Sequence, residues 1–422
     1  MCISENMNYK AEIKNTVWLI GLQGINYLLP LLVMPYLMVV LGAEQFGIYG
    51  FATTTAQLLM LLVDFGFNLT ATKQVACAQG DREEINKIVG ITMRAKLLLL
   101  LLSGIILAVL LAIPRFAPYR IVSSIMFIMV IGQTFSFVWL FQGLDKIRLV
   151  SIVNTVCKLL ILPLVFVLVK SEEDVKIAAF IQSGVYLMSG IVMIILTKYL
   201  NIVHYTTISW LEVWETLKES CPVFISTAVS SVYTLLYVLI LGYFSDAMEV
   251  GRYHAAEKLM RVGCYLILLP LLQSFYPRIS RFKQQEYQSA WRLIQKILWL
   301  ISAIMLCYGI VLFFFSNAII GFLGSDYSGA DSVFKILAVV PLLMSLGGVW
   351  GQLGLLALGD KQEKIVFRNI YLVAAIVALI SVMVVSKHLN AQWTAYCLLL
   401  TEAVVAIGMC IGFYKFKSQC QI

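Results

Sequence analysis

Runs of apolar residues, separated by short polar stretches, fill almost the whole of the 422-residue chain. A helix must be roughly 20 mainly apolar residues long to cross a bilayer. Lipid offers the backbone no hydrogen-bond partners, so runs of this kind must close their own backbone bonds as helices. The pattern predicts about 12 spans, near residues 15–41, 46–68, 88–113, 120–141, 149–169, 175–197, 218–243, 250–275, 293–315, 332–358, 365–386 and 391–414. The tail of the tenth is rich in glycine: Gly347, Gly348, Gly351 and Gly354. The first run is too long for a cleaved leader and lacks a small-residue cleavage site, so it is expected to remain as a span. The expected fold class is an all-α polytopic membrane protein with almost no aqueous domain.

Composition fits this pattern. The chain is 61% hydrophobic, with mean hydropathy +0.89 and only 13% charged residues, against about 25% in soluble domains. The few charges orient it. With the N-terminus in the cytoplasm, 19 Lys and Arg fall on the cytoplasmic side and 5 on the other, the remaining 7 of 31 lying within spans or at their ends. Cytoplasmic loops carry such an excess. Both termini are then expected inside, and the run Glu172-Glu173-Asp174 outside. The net charge of +8 follows from that asymmetry, and no nucleic-acid partner is expected. The nine cysteines form no Cys-x-x-Cys and read as small apolar filler. His204, His254 and His388 are far apart, so no metal site is expected.

The chain divides into two halves of six spans: a bundle at 1–200, an interfacial linker at 201–217 and a second bundle at 218–422. Trp210 and Trp214, among Glu212, Glu215 and Lys218, read as an amphipathic helix lying at the cytoplasmic interface. Fragments repeat between the halves. Ala43-Glu-Gln-Phe-Gly47-Ile-Tyr49 opens span 2, and Ala247-Met-Glu-Val-Gly251-Arg-Tyr253 opens span 8, 204 residues later. Asp145-Lys146 precedes Asn154 as Asp360-Lys361 precedes Asn369, each with a spacing of nine. Halves with equal, even numbers of spans share an orientation, so the two bundles are expected to be related by a pseudo-twofold axis along the membrane normal.

Charges inside spans are costly and usually functional. At about 1.5 Å per residue, Lys158 in span 5, Arg261 in span 8 and Glu402 in span 12 lie about 14–16 Å deep, near the midplane. Asp64 lies about 25 Å into span 2 by the same rise, close to the cytoplasmic mouth, and Arg94 and Lys96 read as boundary charges beside it. His254, Lys258 and Arg261 share a helix face at i, i+4, i+7, and Glu257 is placed to pair with Arg261. Arg252 adds charge at the outer mouth. The polar residues Gln23, Asn26, Thr53, Thr54, Gln57 and Gln133 could line a hydrophilic cavity or only bridge helices. Glu257–Arg261 reads equally as a pair that neutralises itself. A net-cationic centre selects an anion, and Lys158, Arg252, His254, Lys258 and Arg261 are the candidates to bind one. Glu402, Glu257 and Asp64 are the candidates to couple transport to a proton or sodium gradient. Glu402 stands foremost because no cationic residue lies within four positions of it.

Several stretches carry a resemblance. Leu41-Gly-Ala-Glu-Gln-Phe-Gly-Ile-Tyr49, Val63-Asp-Phe-Gly-Phe-Asn-Leu-Thr-Ala-Thr-Lys73, Phe141-Gln-Gly-Leu-Asp-Lys146, Val250-Gly-Arg-Tyr-His-Ala-Ala-Glu-Lys-Leu259 and Tyr276-Pro-Arg-Ile-Ser280 resemble the landmarks of bacterial polysaccharide (O-antigen) repeat-unit flippases. These belong to the multidrug/oligosaccharidyl-lipid/polysaccharide (MOP) exporter superfamily. Arg252 and His254 depart from the family pattern, which has less charged residues there.

The resemblance implies translocation of an undecaprenyl-diphosphate-linked oligosaccharide from the cytoplasmic to the periplasmic leaflet of the bacterial inner membrane. It implies no enzyme chemistry and no cofactor. Expected partners are that substrate, membrane lipids, and the polymerase and chain-length regulator of the same polysaccharide. Pro30, Pro35 and Pro222 mark the helices expected to bend during the movement. A multidrug exporter of organic cations on the same fold is the alternative, and it would favour an acidic, aromatic cavity. A membrane enzyme would need catalytic groups on sizeable aqueous loops, and the longest external loop, near 316–331, offers no nucleophile–base pair.

Overall fold

A computed structural model describes residues 9–200, 208–282 and 287–420. Among these residues the chain is helical throughout, without strands. Ten helices are long and apolar enough to span a membrane: Leu32–Cys77, Arg82–Ala112, Pro114–Gly143, Ile147–Leu168, Glu172–Tyr199, Ala247–Phe282, Tyr287–Phe314, Ala330–Leu356, Gln362–His388 and Ala391–Ser418. The expected spans 3–6 and 8–12 coincide with them to within about seven residues at each end, and span 2, expected at 46–68, lies inside Leu32–Cys77. Span 1 lies in the first part of helix Tyr9–Asp64, and span 7 in helix Trp210–Phe244. The side chains of Gln23, Asn26 and Pro30 and the linker 201–207 lie outside the described residues.

Spans 1 and 2 run on as one assigned helix, but the backbone leaves the helical region at Gly42, with φ 65° and ψ 173°. Only glycine takes such a conformation without strain, so the chain turns at Gly42 rather than at Pro35. Span 2 does not end at residue 68 as expected. It breaks at Phe65 and Gly66, both at positive φ, and resumes as helix Phe67–Cys77. Gly66 sits against Val223 and Phe224 of span 7.

Residues 210–217 form the opening turns of the span 7 helix, which runs through Pro222 without a break. Ser209 and Glu212 cap it reciprocally, each satisfying a backbone N–H that helix geometry leaves orphaned. Trp210, Leu211 and Trp214 are exposed, and the Lys218 ammonium lies 5.7 Å from the Trp214 ring.

Two helices carry π-helical turns, Cys264–Leu268 in span 8 and Val349–Leu356 at the glycine-rich end of span 10. Such turns are rare and concentrate at functional sites. Here both border one cavity, lined by Tyr265, Met344, Gln352, Tyr371 and Glu402 among others.

Candidate functional site

The repeated Ala-x-x-x-Gly segments meet. A Cβ on Gly47 would lie 1.8 Å from the Ala247 carbonyl oxygen, and one on Gly251 would lie 1.8 Å from the Ala43 carbonyl oxygen. The contact is reciprocal, as a twofold relation between spans 2 and 8 requires. Only small residues allow two helix backbones to approach so closely. One turn deeper the equivalent positions, again 204 apart, are Gly50 and His254, and the imidazole fills the space that Gly50 leaves. Phe46 covers the ring, 5.6 Å from centroid to centroid. The imidazole is buried, and neither of its nitrogens hydrogen-bonds a described residue, the Glu257 carboxylate lying 3.9 Å from Nδ1. His254 is thus part of the seam between the halves.

The seam closes one end of the bundle, called here the Gly42 end. Tyr327, wholly buried, donates to the Met38 carbonyl at 3.0 Å, so the loop before span 10 seats on the turn between spans 1 and 2. Arg252 is part of this closure. It pairs with Glu249 at 2.7 Å, and Glu249 accepts the Ala391 N–H at the head of span 12. Span 8 is buried through most of its length to Cys264. Beyond that point Tyr265, Leu266, Gln273, Ser274, Tyr276 and Arg278 are exposed.

Further along the same face of span 8, Arg261 pairs with Glu257 at 2.6 Å, with Met344 against its guanidinium, and both charged groups are buried. A buried pair of this kind repays its desolvation only while both partners stay. Lys258, half-buried, makes no hydrogen bond or salt bridge with a described residue. Counting 204 back along the repeat, Thr53, Thr54 and Gln57 stand where Glu257, Lys258 and Arg261 stand in the second half. The cationic stripe thus belongs to the second half alone.

The first half has its own buried charges. The Lys96 ammonium is wholly buried and bonds the Asp64 carboxylate at 3.0 Å, and Gln133 donates to the other Asp64 oxygen at 3.0 Å. Lys96 is therefore an interior group and not the boundary charge expected. Arg94 donates to the Ile208 carbonyl, which joins span 3 to the approach of span 7.

Lys158 lies in a separate cavity of about 220 Å³ within the first half, between spans 4, 5 and 6, lined by Gln133, Ser136, Asn154, Tyr186 and Ser189 among others. Glu402 lies in a cavity of about 180 Å³ in the second half. Lys158 and Arg261, expected to face one central path, belong to different surroundings in this state. Sequence reasoning missed three features: the Lys96–Asp64–Gln133 cluster, the contribution of Asn154 to the Lys158 cavity, and the seam itself. For the seam the signal was present in the repeat, because its two alanines and two glycines are the residues in contact.

A groove of about 490 Å³ opens at the opposite, Gly66 end, between spans 2 and 3 and the start of span 7. It is lined by Gln74, Glu84, Lys87, Glu212, Glu215 and Glu219 among others. Lys87 pairs with Glu212 at 2.7 Å. This partner and the Ser209 N–H hold the Glu212 carboxyl below the usual carboxylate range.

Residues 13–283 match the family model described as polysaccharide biosynthesis protein. Two curated relatives, both named "Putative O-antigen transporter", align along nearly their whole length. The one from Escherichia coli (strain K12) is 31% identical over 95% of this chain and 96% of its own. The one from Shigella dysenteriae is 32% identical over 94% and 98%. Among solved structures, the lipid II flippase MurJ in an inward closed conformation superposes with TM-score 0.68 over 94% of this chain and 87% of that one, at 13% identity. An inward-facing multidrug resistance MATE family transporter of the MOP superfamily gives 0.62 over 94% and 99%, at 12% identity. Those likenesses show the fold, two six-helix bundles of the MOP type, and the sequence matches place the chain in the polysaccharide biosynthesis protein family.

Proposed function

We propose that this protein is a flippase. It moves an undecaprenyl-diphosphate-linked oligosaccharide, an O-antigen or related surface-polysaccharide repeat unit, from the cytoplasmic to the periplasmic leaflet of the bacterial inner membrane by alternating access. It is a transporter and not an enzyme. The observation that carries this reading is the full-length similarity to two proteins named as O-antigen transporters. The geometry supports it. The charge bias assigns the Gly42 end to the periplasm, so the Gly47–Gly251 seam is an outer closure and the protein stands ready to load from the cytoplasm. Both termini then lie in the cytoplasm. The polymerase and chain-length regulator of the same polysaccharide are the expected protein partners.

Of the cations proposed to meet the substrate, Lys158 and Lys258 make no salt bridge with a described residue, whereas Arg252 and Arg261 already hold carboxylates. Among the three carboxyls proposed for coupling, Glu402 borders a cavity between two π-turns and is the best placed to couple. The organic-cation exporter reading is weaker, because span 8 presents Lys258 and Arg261 rather than an acidic surface.

The test is flipping of a lipid-linked oligosaccharide by the purified full-length protein in proteoliposomes, with and without an imposed proton or sodium gradient. Flipping is expected, and Glu402→Gln is expected to flip without responding to the gradient. Absence of flipping together with efflux of organic cations would replace the reading with the exporter. An unchanged gradient response in Glu402→Gln would remove Glu402 from coupling.

A further inference from the structure

We infer that the first half holds the anionic group of the substrate, in a phosphate-sized oxyanion subsite built by Lys158 and Asn154 inside the span 4–5–6 cavity. This deepens the flippase reading and rests on it for the identity of the ligand, though not for the existence of the site.

Three observations meet at this cavity. The first is charge. The fully buried cations of the bundle are neutralised, Lys96 by Asp64 and Arg261 by Glu257. The ammonium of Lys158, half-buried like that of Lys258, has neither a hydrogen bond nor an ion pair with a described residue, and the lining of its cavity contains no carboxylate. An ammonium desolvated among neutral dipoles is costly unless something anionic completes it. Its own helix gives it no route to lipid headgroups, because Val156, Leu159 and Leu160 take the exposed face while Lys158 turns inward.

The second is donor geometry. Asn154 and Lys158 are one turn apart on one face of span 5, a spacing at which side chains meet. Ser189 donates to the Asn154 carbonyl oxygen, which fixes the amide so that its NH₂ is the end left to donate. The Ser136 and Tyr186 hydroxyls complete the lining. Gln133 is held in a similar way, since its amide donates to Asp64 at 3.0 Å. A point charge, an oriented amide and hydroxyls suit a phosphate oxygen cluster.

The third is size. At about 220 Å³ the cavity is below the roughly 300–1,000 Å³ typical of sites for larger ligands. It excludes an oligosaccharide and suits one or two tetrahedral phosphates. The corresponding cavity of the second half, among spans 8, 10, 11 and 12, carries the carboxyl of Glu402 instead. The duplicated bundles have therefore diverged into a seat for an anion and a site that repels one. Asn369, the repeat partner of Asn154, shows the same divergence, because it is exposed and bonds Arg368.

The chemistry fits either the diphosphate headgroup of a lipid carrier or free pyrophosphate. The experiment is binding to the full-length protein in nanodiscs, read as the rise in its thermal unfolding midpoint. The probes are sodium pyrophosphate and, separately, a sugar-free polyprenyl diphosphate. A ligand that binds only the folded state raises the midpoint with concentration. Polyprenyl diphosphate is expected to stabilise the wild type. Lys158→Met should weaken binding by roughly ten- to a hundredfold and Asn154→Leu by less, in line with the strength of hydrogen bonds to charged groups. Lys158→Arg should retain most of it, and Lys335→Met, at the Gly42 surface, should change nothing. Stabilisation by pyrophosphate as well would make the site a general oxyanion seat, and stabilisation by the lipid alone would assign it to the headgroup. An undiminished response in folded Lys158→Met, or no response to either probe in the wild type, overturns the subsite. A wild type that binds these probes yet flips no lipid-linked oligosaccharide would defeat the flippase reading and leave the subsite standing.

Discussion

At the Gly42 end the two halves meet backbone to backbone: Gly47 lies against the Ala247 carbonyl, Gly251 against the Ala43 carbonyl, and an unbonded imidazole is packed beneath them. At the Gly66 end they meet through side chains at the edge of an acidic groove. Lys87 reaches Glu212, Gln74 reaches Glu219 at 3.4 Å, and Thr70 meets Ser220 at 2.8 Å. The first contact is dry, steric and symmetric. The second is wet and electrostatic at the groove, with Phe65 stacked on Phe224 beside it at 4.5 Å, and is formed by one helix of the second half on two of the first. A backbone contact between glycines is either made or lost as a unit, whereas exposed ion pairs contribute little and are tuned by salt. In a transporter that alternates between two closures, a dry seam of this kind is expected to set most of the free-energy difference between states, with the wet end adjusting it.

The most damaging change to this contrast is volume in the seam. Gly47→Leu or Gly251→Leu places carbon atoms where a backbone carbonyl stands, and that carbonyl belongs to a helix that cannot yield locally. Overpacking in cores costs typically about 1–3 kcal/mol, and a rigid obstacle puts these variants at or above the top of that range. Flipping should be lost while the protein remains in the membrane. A cysteine introduced at Ala43, wholly buried in the native seam, should become reactive to a maleimide added from the Gly42 side of the membrane. Normal flipping in both leucine variants would mean that the seam does not have to close. Gly50→Ala meets only the His254 ring, which can rotate, so its effect should be smaller.

Much of this contrast was legible in the sequence. Length and hydropathy locate a helix without reference to its neighbours, which is why most spans matched. The repeat of Ala43 and Gly47 in Ala247 and Gly251 located both faces of the seam, although pattern alone could not say that they touch. Depth along a helix follows from rise per residue, but the direction in which a side chain points depends on the packing of other helices. Asp64 was read near the cytoplasmic mouth, yet its span resumes beyond the Phe65–Gly66 break as far as Cys77, and its partner Lys96 comes from another span and was read as a boundary charge. Lys158 was placed at midplane depth, but the walls of its cavity come from spans 4 and 6. The span 7 start was read as a separate interfacial helix because Trp210 and Trp214 stand there among Glu212, Glu215 and Lys218. Glu212 and Glu215 face the groove, and Trp210 and Trp214 are exposed on the same continuous helix.

The seam should be less sensitive to loss of polarity than to gain of volume. His254 makes no hydrogen bond, so His254→Leu replaces an unsatisfied buried group with an apolar one of similar size. Such replacements are near neutral or stabilising, by up to about 1 kcal/mol. The expected outcome is an unfolding midpoint in nanodiscs equal to or above that of the wild type. Arg261→Ala should behave in the opposite way. It leaves Glu257 buried without its guanidinium, a loss of about 3–5 kcal/mol by comparison with other broken buried pairs, and the midpoint should fall. A fall of similar size in His254→Leu would show that the imidazole has a bonding role in another state of the cycle.

The smallest effects belong to the wet end, and their signature is sensitivity to salt and pH rather than magnitude. Lys87→Glu adds a carboxylate to a groove already lined by Glu84, Glu212, Glu215 and Glu219. It should shift the rate of flipping modestly at low ionic strength and hardly at all at high salt, because exposed charges are screened within about 8–10 Å. The double variant Lys87→Glu, Glu212→Lys should restore the wild-type salt response. The pH dependence has a definite sign. Glu212 has its folded-state carboxyl pKa depressed by Lys87 and the Ser209 N–H. Its contribution is therefore fully present above the ordinary carboxylate range and is lost as pH falls through the depressed value. Acidifying the Gly66 side should loosen the span 7 contact in the wild type and leave Glu212→Gln unaffected, as read by the reactivity of a cysteine placed at Thr216, half-buried on the groove wall. A pH response that persists in Glu212→Gln would remove Glu212 from the pH dependence of this contact.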